Sequence, residues 1–415
     1  MEKQKYPEVR FSQFHKSWEV QPLNNIFGKI RNAFVGTATP FYVKKGNFYL
    51  ESNNVKDGKI NKKTQIFIDD YFYFKQRDKW LKTDDLVMVQ SGHVGHSAVI
   101  SEELNNSAAH ALIMFSDYKV QTNPHFLNYQ WQTNSAKKAI EKIATGNTIR
   151  HILSSDMKEF LSFFSSYDEQ IQIGNFFQNL DQSIALQEKK LAQTQNLKKA
   201  MLEKMFPKAG SKQPEIRLKG FSGDWEQQSI GDFTKVGSGA RVHKEEWTSS
   251  GVPFYRSSDV VSSYKGNDNS KAYIPFSLFE KLIQISGRLE KDDLLVTGGG
   301  SIGIPYLVPN NEPLYSKDAD LIWIKKSKKF NSQYLYTFFS TSYFRNFIAS
   351  ISHIGTIAHY TIEQVKATPV CLPSIEEQVQ IGNFFKQLDE TLALQQQQLQ
   401  TLKKLKQAFL EKMFV

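Results

Sequence analysis

The chain has 415 residues, of which 40% are hydrophobic and 13% aromatic, and it carries a formal net charge of +10. This length predicts about two to four domains, and the hydrophobic content suffices for packed cores, which excludes a disordered chain. The single cysteine, Cys371, excludes an intramolecular disulfide, and we interpret it as a small buried hydrophobe in a reducing compartment. Because the sequence contains neither the apolar core of a signal peptide nor an apolar run of about eighteen residues, we expect a soluble, cytoplasmic protein without a membrane anchor.

The sequence contains an internal repeat that divides it into four segments. Residues 169–206 begin EQIQIGNFFQNLDQSIALQ and end LEKMF, and residues 377–414 begin EQVQIGNFFKQLDETLALQ and end LEKMF, a displacement of 208 positions. Shorter matches precede both copies: PEVR at 7–10 with PEIR at 214–217, Phe14 with Phe221, and Trp18 with Trp225. Two similar units in one chain usually lie about a pseudo-two-fold axis.

The first segment, residues 1–166, is predicted to form a mixed α/β domain. Short β-branched and aromatic runs, such as KTQIFIDDYFYF at 63–74 and DLVMVQSG at 85–92, are separated by Gly, Asn and Pro, which is typical of strands and turns. A more helical stretch lies near 124–144.

The second segment, residues 167–206, is predicted to be one long helix. Its apolar residues recur three and four positions apart, as in a coiled-coil stripe, with Gln187 as an interruption. The stripe consists of Ile173, Phe177, Leu180, Ile184, Leu191, Met201 and Met205.

The third segment, residues 207–374, is predicted to repeat the α/β domain, with a strand in ADLIWIKK at 319–326 and a helical stretch near 331–350. It shares these landmarks with the first: Asp84, Asp85 and Leu86 with Asp292, Asp293 and Leu294; Gly92 and Gly95 with Gly300 and Gly303; Thr148, Ile149 and His151 with Thr356, Ile357 and His359. The two copies of one fold share their turns and differ in their surface residues, which suits two domains that bind different targets.

The fourth segment, residues 375–415, is predicted to be a second long helix with the same stripe, interrupted at Gln395 and Lys406. Its members are Ile381, Phe385, Leu388, Leu392, Leu399, Leu402, Phe409 and Met413. A helix of about forty residues is about 60 Å long, too long to bury its stripe on a small domain. We therefore predict that the two helices pair antiparallel; the alternative is two unrelated surface helices.

Gln187 and Gln395 occupy matching positions in the two stripes. If both lie on the seam, they could hydrogen-bond and define its register at a cost in stability, so that replacing both by leucine should raise the melting temperature. The alternative, which the sequence leaves open, is that both side chains face solvent or a partner protein.

The excess positive charge lies in the two α/β segments, whereas the helical segments are neutral. A surface that binds duplex DNA needs such an excess, because each neutralised phosphate releases condensed counterions. Many basic proteins bind no nucleic acid, so charge alone does not decide the function.

The whole sequence resembles the specificity subunits of type I restriction-modification systems. The resemblance rests on the segment order, the openings PEVRF and PEIRL, the glycine turns in TDDLVMVQSGHVG and KDDLLVTGGGSIG, the entry LPSIEEQ, and the string EQ-x-x-IG-x-F-F-x-x-LD at both helix starts. The first helix departs from the pattern, since its entry FFSSYDEQ lacks prolines equivalent to Pro369 and Pro373.

The resemblance implies target-recognition domains at 1–166 and 207–374, and helical spacers at 167–206 and 375–415 that form an antiparallel coiled coil. Each domain of such a protein reads one half-site of a bipartite double-stranded DNA target. The helices hold the domains apart and bind two methyltransferase subunits, and two motor/nuclease subunits complete the cutting enzyme. We therefore expect a non-enzymatic chain without a cofactor, with S-adenosylmethionine, ATP and magnesium used by the other subunits.

Candidates for DNA contact are basic, amide, hydroxyl and aromatic residues in loops, because Arg reads guanine, Asn or Gln reads adenine, and Lys or Ser mostly meets phosphate. In the first domain they are Arg31, Lys44, Lys45, Asn53, Asn54, Lys62, Lys63 and His93. In the second they are Arg241, His243, Lys244, Tyr255, Arg256, Ser257, Ser258 and Ser301, with VPFYRSSDV at 252–260 as the strongest single candidate.

Motifs for catalysis are scarce. The sequence has no Pro-Pro pair, as the Asn/Asp-Pro-Pro-aromatic motif of amino-methyltransferases requires, and no Gly-Lys-Ser/Thr for a P-loop. Gly298, Gly300 and Gly303 spell GxGxxG, but the first domain keeps only the last two, so we interpret the run as a turn. His93 and His96 are spaced like metal ligands, yet their counterparts are Ser301 and Ile304, and we expect no metal.

Two other classes of function remain open. A coiled-coil scaffold that tethers partner proteins without reading DNA would explain the helices but not the two basic domains. A self-contained nuclease or methyltransferase would need a metal or cofactor site. One acid-x-Lys near another acid is Glu188 to Lys190 after Asp181, which the second helix replaces with Gln396 and Gln398.

Overall fold

The computed structural model describes residues 6–146, 150–316, 321–351 and 359–415. The chain divides into two compact units: the first comprises Met1–Glu188 with Gln397–Val415, and the second comprises Lys189–Gln396. Each unit therefore contains one α/β region, the first half of the helix that follows it, and the second half of the other helix.

The first α/β region is built from short strands and helices. The strands are β1 (Glu19–Pro22), β2 (Phe27–Asn32), β3 (Tyr42–Val43), β4 (Asn47–Glu51), β5 (Val55–Lys56), β6 (Lys59–Ile60), β7 (Ile66–Ile68), β8 (Leu86–Val89), β9 (Ser97–Val99), β10 (Ala108–His110), β11 (Leu112–Tyr118) and β12 (Leu161–Phe164). The helices are α1 (Leu23–Ile26), α2 (Asp70–Lys75), α3 (Pro124–Gln130), α4 (Asn134–Ile143), α5 (Ser154–Lys158) and the long α6 (Tyr167–Lys204).

The second α/β region follows a similar order. The strands are β13 (Glu226–Ser229), β14 (Val236–Ser238), β15 (Val252–Tyr255), β16 (Ala272–Ile274), β17 (Leu294–Thr297), β18 (Pro305–Leu307), β19 (Tyr315–Ser316), β20 (Leu321–Ile324) and β21 (Pro369–Leu372). The helices are α7 (Ile230–Phe233), α8 (Ser257–Tyr264), α9 (Phe276–Ser286), α10 (Ser332–Phe338), α11 (Ser342–Ile351), α12 (Ile362–Lys366) and the long α13 (Ile375–Lys412).

One four-stranded antiparallel sheet is common to both regions. Its order is β2-β11-β8-β9 in the first and β14-β20-β17-β18 in the second. Strands β8 and β17 lie inside these sheets and are buried along their whole length, which explains their uninterrupted apolar sequences LVMV and LLVT. The predicted fold class, two mixed α/β regions with two long helices, is confirmed.

A second sheet differs between the two regions. In the first region it has the order β10-β4-β7-β3, and in the second the order β16-β15-β19. Three strands correspond, because β4 and β15 each pair with one parallel strand, β10 or β19, and with one antiparallel strand, β7 or β16. The two regions thus share the common sheet, its flanking helices and three strands of the second sheet. They differ in strand β3 and in the segment after the central strand, which is the β5–β6 hairpin in the first region and helix α8 in the second.

The aromatic run at 63–74 forms a strand followed by a helix rather than the extended segment that its composition predicts. Strand β7 ends at Ile68, and the Asp69 carboxylate accepts a hydrogen bond of 2.7 Å from the backbone N–H of Phe72, which starts α2. A side-chain cap therefore outweighs the strand preference of the aromatic residues.

The two long helices run antiparallel within each unit. In the first unit, Phe176 of α6 contacts Phe409 of α13 with ring centroids 5.1 Å apart, and the Glu188 carboxylate lies 2.6 Å from Lys403 Nζ. As the residue number increases along α6, the residue number of its contact on α13 decreases, as antiparallel pairing requires. The second unit has the same direction, because Lys198 pairs with Asp389 whereas Phe206 lies 6.1 Å from Phe385.

The residues of the predicted seam lie in buried or half-buried positions. Ile173, Phe177, Ile184, Ile381, Phe385 and Leu399 are buried. Leu180, Gln187, Leu191, Met201, Leu388, Leu392, Gln395, Leu402 and Phe409 are half-buried. Gln187 Nε2 donates a hydrogen bond of 3.0 Å to Gln398 Oε1 in the first unit.

The repeated EQ-x-x-IG string attaches each helix to its α/β region. In the second unit, Glu377 is 1% exposed and forms two hydrogen bonds, 2.9 and 2.8 Å long, with the Arg217 guanidinium of PEIRL. Gln378 Oε1 accepts from the backbone N–H of Asn331, and Gly382 lies against the first turn of α10. Arg10, Glu169, Gln170, Asn123 and Gly174 repeat these contacts in the first unit.

The repeated LEKMF ends complete the hydrophobic cores. Phe414, at the end of α13, packs against Trp18, with ring centroids 6.1 Å apart, in the core of the first unit. Phe206, just after α6, packs against Trp225 at 6.2 Å in the core of the second unit. Each α/β region therefore depends on the end of the helix that follows the other region.

Candidate nucleic-acid interface

A glycine turn joins β8 to β9 in the first unit. Gly92 and Gly95 have positive φ angles of 81° and 85°, which favour glycine. A Cβ atom on Gly95 would lie 2.8 Å from Ile140 Cγ2, so the turn is packed against α4. Gly92, by contrast, is exposed, with nothing within 4 Å of a Cβ position, and the turn presents its tip with His93 to solvent.

The equivalent turn joins β17 to β18 in the second unit. Gly300 and Gly303 have φ angles of 71° and 72°, and a Cβ atom on Gly303 would lie 2.8 Å from Phe344 of α11. The GxGxxG run therefore connects two antiparallel strands, whereas a dinucleotide fingerprint connects a strand to a helix. Ser301 is exposed at the tip, in the position of His93.

A histidine lies beside each turn. His151 forms β-bridges with Ser91 and Thr145, and His359 forms one with Gly299. Both histidines are exposed. The neighbouring landmarks Thr148, Ile149, Thr356 and Ile357 lie outside the described residues.

The β5–β6 hairpin packs next to the first glycine turn. The backbone N–H of Asp57 donates to His96 Nδ1 at 3.2 Å, and the Asp57 carboxylate lies 3.7 Å from the same atom. Burial lowers the pKa of His96 below its usual value, and the Asp57 carboxylate opposes this shift only in part. His96 therefore acts as a neutral hydrogen-bond acceptor near neutral pH.

The predicted contact residues of the first unit fall into two groups. Lys44, Lys45, Asn53, Lys63 and His93 are exposed on loops or turns. The remaining three, Arg31, Asn54 and Lys62, have partners within the unit.

The contacts of Arg31, Asn54 and Lys62 within the unit restrict the movement of these side chains. Arg31 donates to the backbone carbonyl of Asp78, and Lys62 Nζ lies 2.7 Å from the Glu103 carboxylate. Asn54 is 3% exposed, and its amide accepts from Glu51 N and donates to the carbonyl groups of Asn61 and Thr64. Asn54 thus holds together the loop that carries Lys62 and Lys63.

The predicted residues of the second unit lie on two stretches and one turn. Arg241, His243 and Lys244 are exposed between β14 and β15. Tyr255 ends β15, and Ser257 and Ser258 begin α8, so the VPFYRSSDV segment is a strand that leads into a helix, with Ser258 exposed.

Arg256 is held between that strand and helix. Its guanidinium forms hydrogen bonds of 2.8 and 2.9 Å with the two carboxylate oxygens of Asp259, and it lies 5.7 Å from the Trp247 ring centroid. This bidentate pairing orients the guanidinium.

The candidate residues omit one pair of cations beside the turns. Lys137 and Arg345 are related by the displacement of 208 positions, and each lies one helical turn before the residue, Ile140 or Ile348, that contacts the second glycine of its turn. Comparing cations across the repeat, rather than loop by loop, would have found them.

Among the described residues, no group of three or more His, Cys, Asp and Glu side chains is arranged to hold a metal ion. No helix in this part of the chain is both long and apolar enough to cross a membrane.

Sequence comparisons connect the chain with a known family. Residues 222–404 match the model of the type I restriction modification DNA specificity domain. The type I restriction enzyme MjaVIII specificity subunit of Methanocaldococcus jannaschii is 21% identical, over 97% of this chain and 94% of that protein. A putative type I restriction enzyme specificity subunit of Haemophilus influenzae is 28% identical, over 37% of each chain.

Solved structures have the same fold. The type I restriction-modification S subunit from M. genitalium superposes with a TM-score of 0.63 at 16% identity, covering 99% of both chains. A chain from a structure of the complex assembly and conformational transition of the type I system superposes with a TM-score of 0.52 at 14% identity, covering 96% of this chain and 97% of that one. The family resemblance inferred from the sequence is thereby confirmed.

Proposed function

We propose that this chain, a relative of the specificity subunits of type I restriction-modification systems, recognises a bipartite DNA sequence with one half-site for each α/β region. The observation that carries the proposal is that the two regions share a scaffold and differ in a segment attached to it. The common sheet, its glycine turn and three strands of the second sheet are repeated, whereas the β5–β6 hairpin that follows β4 in the first region is matched by helix α8 after β15 in the second. A common scaffold with two different surfaces suits two readers of different half-sites.

The proposed DNA contacts come from the exposed members of the candidate set. In the first unit these are Lys44, Lys45, Asn53, Lys63 and His93; in the second they are Arg241, His243, Lys244, Ser258 and Ser301. Arg256, which Asp259 orients, would present its remaining donor edge to a base only if DNA displaced its hydrogen bond to the Ser270 carbonyl.

We further propose that the chain is a non-catalytic cytoplasmic subunit. It would recruit two methyltransferase subunits and two motor/nuclease subunits, and S-adenosylmethionine, ATP and magnesium would be used by those partners. The helices, which join the two α/β regions in sequence, would define the number of unread base pairs between the half-sites.

The proposal is tested by mapping methylated adenines across the genome of a host that expresses this chain with its neighbouring methyltransferase subunit. A host with the methyltransferase alone is the control. We expect a new bipartite methylated motif only when the chain is present.

A substitution confined to one α/β region would assign that region to one half-site. Replacing residues 241–244 by alanine should change or remove only one half-site of the motif. If methylation is the same in both hosts although the complex assembles, the chain does not direct modification, and a scaffold that tethers proteins without reading DNA becomes the better description.

A further inference from the structure

The side chains that recur in both α/β regions include few cations. From residue 84 to residue 168 the first region has the cations Lys119, Lys137, Lys138, Lys142, Arg150 and Lys158, and a displacement of 208 positions aligns only two of them with another cation. These are Lys137, which aligns with Arg345, and Lys158, which aligns with Lys366. Lys366 Nζ forms an ion pair with the Glu363 carboxylate, 2.8 Å away on the same helix. The other aligned pair of cations is Lys137 and Arg345.

The two helices that carry these cations begin in the same way. In α4, the buried Thr133 accepts a hydrogen bond of 3.2 Å from the backbone N–H of Ala136 at its hydroxyl. In α11, the buried Thr341 accepts one of 3.3 Å from Phe344. Each cation lies four residues after its threonine, so the backbone that carries the charge is anchored in the core.

The packing of each glycine turn places it beside the cation. Gly95 contacts Ile140, which is on the same face of α4 as Lys137, three residues away. Gly303 contacts Phe344 and Ile348, the equivalent surface of α11, and Arg345 Nη1 lies 3.4 Å from the Gly303 carbonyl oxygen. Lys137 is exposed and Arg345 is half-buried, so both can reach solvent.

Each site also contains an exposed histidine at the edge of the turn. His151 is bridged to Ser91, immediately before Gly92, and His359 is bridged to Gly299, immediately before Gly300. Each unit therefore has a retained histidine at the start of its glycine turn and a retained cation beside the end of that turn.

We propose that Lys137 and Arg345, each beside its glycine turn, bind the backbone phosphates of the DNA half-site that its unit reads. This inference rests on the proposed function and adds a sequence-independent contact to it. Two domains that recognise different base sequences share only the sugar-phosphate backbone as a target. A solvent-accessible cation that is present in both therefore suits phosphate better than a base. The exposed glycine leaves room for the backbone of the nucleic acid to approach the turn.

The test measures duplex binding by the complete chain in complex with its methyltransferase subunits, over a range of salt concentrations. One duplex contains the mapped motif, and a second has both half-sites scrambled. We expect Lys137→Ala and Arg345→Gln each to weaken binding to both duplexes by a similar factor. Each should also reduce the slope of log affinity against log salt by about 0.9, and the double variant by about twice that amount.

Lys138→Ala is the matched control, because Lys138 is the exposed neighbour of Lys137 and its counterpart is the neutral Asn346. It should leave the slope unchanged. Lys137→Arg and Arg345→Lys keep the charge and should restore the slope, which separates a phosphate contact from a defect in folding.

The outcomes are distinguishable. Wild-type slopes in both charge-removing variants would overturn the phosphate site while leaving sequence reading intact. A loss confined to the motif duplex would overturn it too, since that result indicates a base contact. If the wild-type complex does not prefer the motif duplex, sequence reading fails, and the slope change in the variants still decides whether these cations meet phosphate.

Discussion

Two deeply buried charges belong to the motif that attaches each helix to its α/β region. Glu169 and Glu377 are each 1% exposed, and each is neutralised by an arginine from the segment that opens its unit. A buried carboxylate without a partner is strongly destabilising, which explains why Arg10 and Arg217 recur with the glutamates.

Arg217→Ala should lower the free energy of unfolding of the second unit by about 3 kcal/mol, because Glu377 would remain buried without a counter-ion. Chemical denaturation, followed through the buried Trp225, measures the change. Lys208→Ala is the control, since the pair between Lys208 and Glu215 is exposed and its loss should change stability little. Equal effects of the two substitutions would contradict the role assigned to Arg217.

The shifted pKa of Asp85 predicts that the free energy of unfolding depends on pH. Burial raises its pKa to about 6, although the backbone N–H of Lys82 donates to its carboxylate and opposes the shift. Since the pKa is raised in the folded protein, the contribution of Asp85 is most favourable below the unfolded value of about 4 and is lost as the pH rises through about 6.

Asp85→Asn removes this titration. The stability of the variant relative to the wild type should therefore increase between about pH 4 and pH 7, as measured by urea denaturation across this range. Asp84→Asn, at the adjacent exposed position, controls for the substitution itself. A stability difference that does not change with pH would show that the Asp85 carboxyl titrates normally.

The starts of the long helices are defined by close packing as well as by charge. A Cβ atom on Gly382 would lie 2.9 Å from Asn331 Oδ1 and 3.0 Å from Tyr334 N, the two atoms whose hydrogen bond caps α10. The glycine of the repeated string is thus required where α13 and α10 approach each other.

Gly382→Ala should lower the free energy of unfolding by about 1–3 kcal/mol, despite the higher helix propensity of alanine, because the added methyl group disrupts this cap. Gly237→Ala, where nothing lies within 4 Å of the added Cβ, should be close to neutral. Thermal unfolding of the two variants compares them directly, and a neutral Gly382→Ala would mean that α10 can shift at little cost.

The half-buried glutamines of the helical stripe lead to a second prediction for these elements. Replacing both Gln187 and Gln395 by leucine extends the apolar stripe and should raise the melting temperature if they occupy the seam. Gln397→Leu, at an exposed position of α13, is the control. A lower melting temperature in the double variant would mean that the glutamine amides stabilise the pairing or that their sites cannot hold leucine.

Each unit of the molecule combines an α/β region with the end of the long helix that follows the other region. The end of α13 packs into the core of the first unit and the end of α6 into that of the second. Neither α/β region completes its core from its own contiguous segment, so we expect each region expressed without the other helix to be unstable.

Helix length should determine the spacing of the DNA target. A seven-residue insertion after both Glu188 and Gln396 preserves the stripe and lengthens each helix by about 10 Å, the rise of about three base pairs. Methylome mapping should then show both half-sites unchanged and a longer unread gap. The same insertion after Gly266, in an exposed loop, is the control and should leave the gap unchanged. An unchanged gap in the helix variant would show that helix length does not determine the distance between the half-sites.

The repeat, the two long helices and the strands of the common sheet could be predicted from sequence because periodicity is a local signal and appears here twice. The stripe of α6 and that of α13 predict the same structure independently, and the strand sequence LVMV returns as LLVT. The family resemblance follows from the same repeated strings.

Only the tertiary structure shows which of the candidate polar side chains are exposed and unobstructed enough to contact a ligand. Asn54 and Arg256 look alike in sequence, as polar residues near a strand end, yet one is buried in a loop and the other is paired with Asp259. The neighbours of Lys137 and Arg345 come from a hairpin about forty residues earlier in the chain. Burial and pairing depend on partners distant in sequence, which composition and periodicity do not specify, so the helices could be predicted and the details of the surface could not.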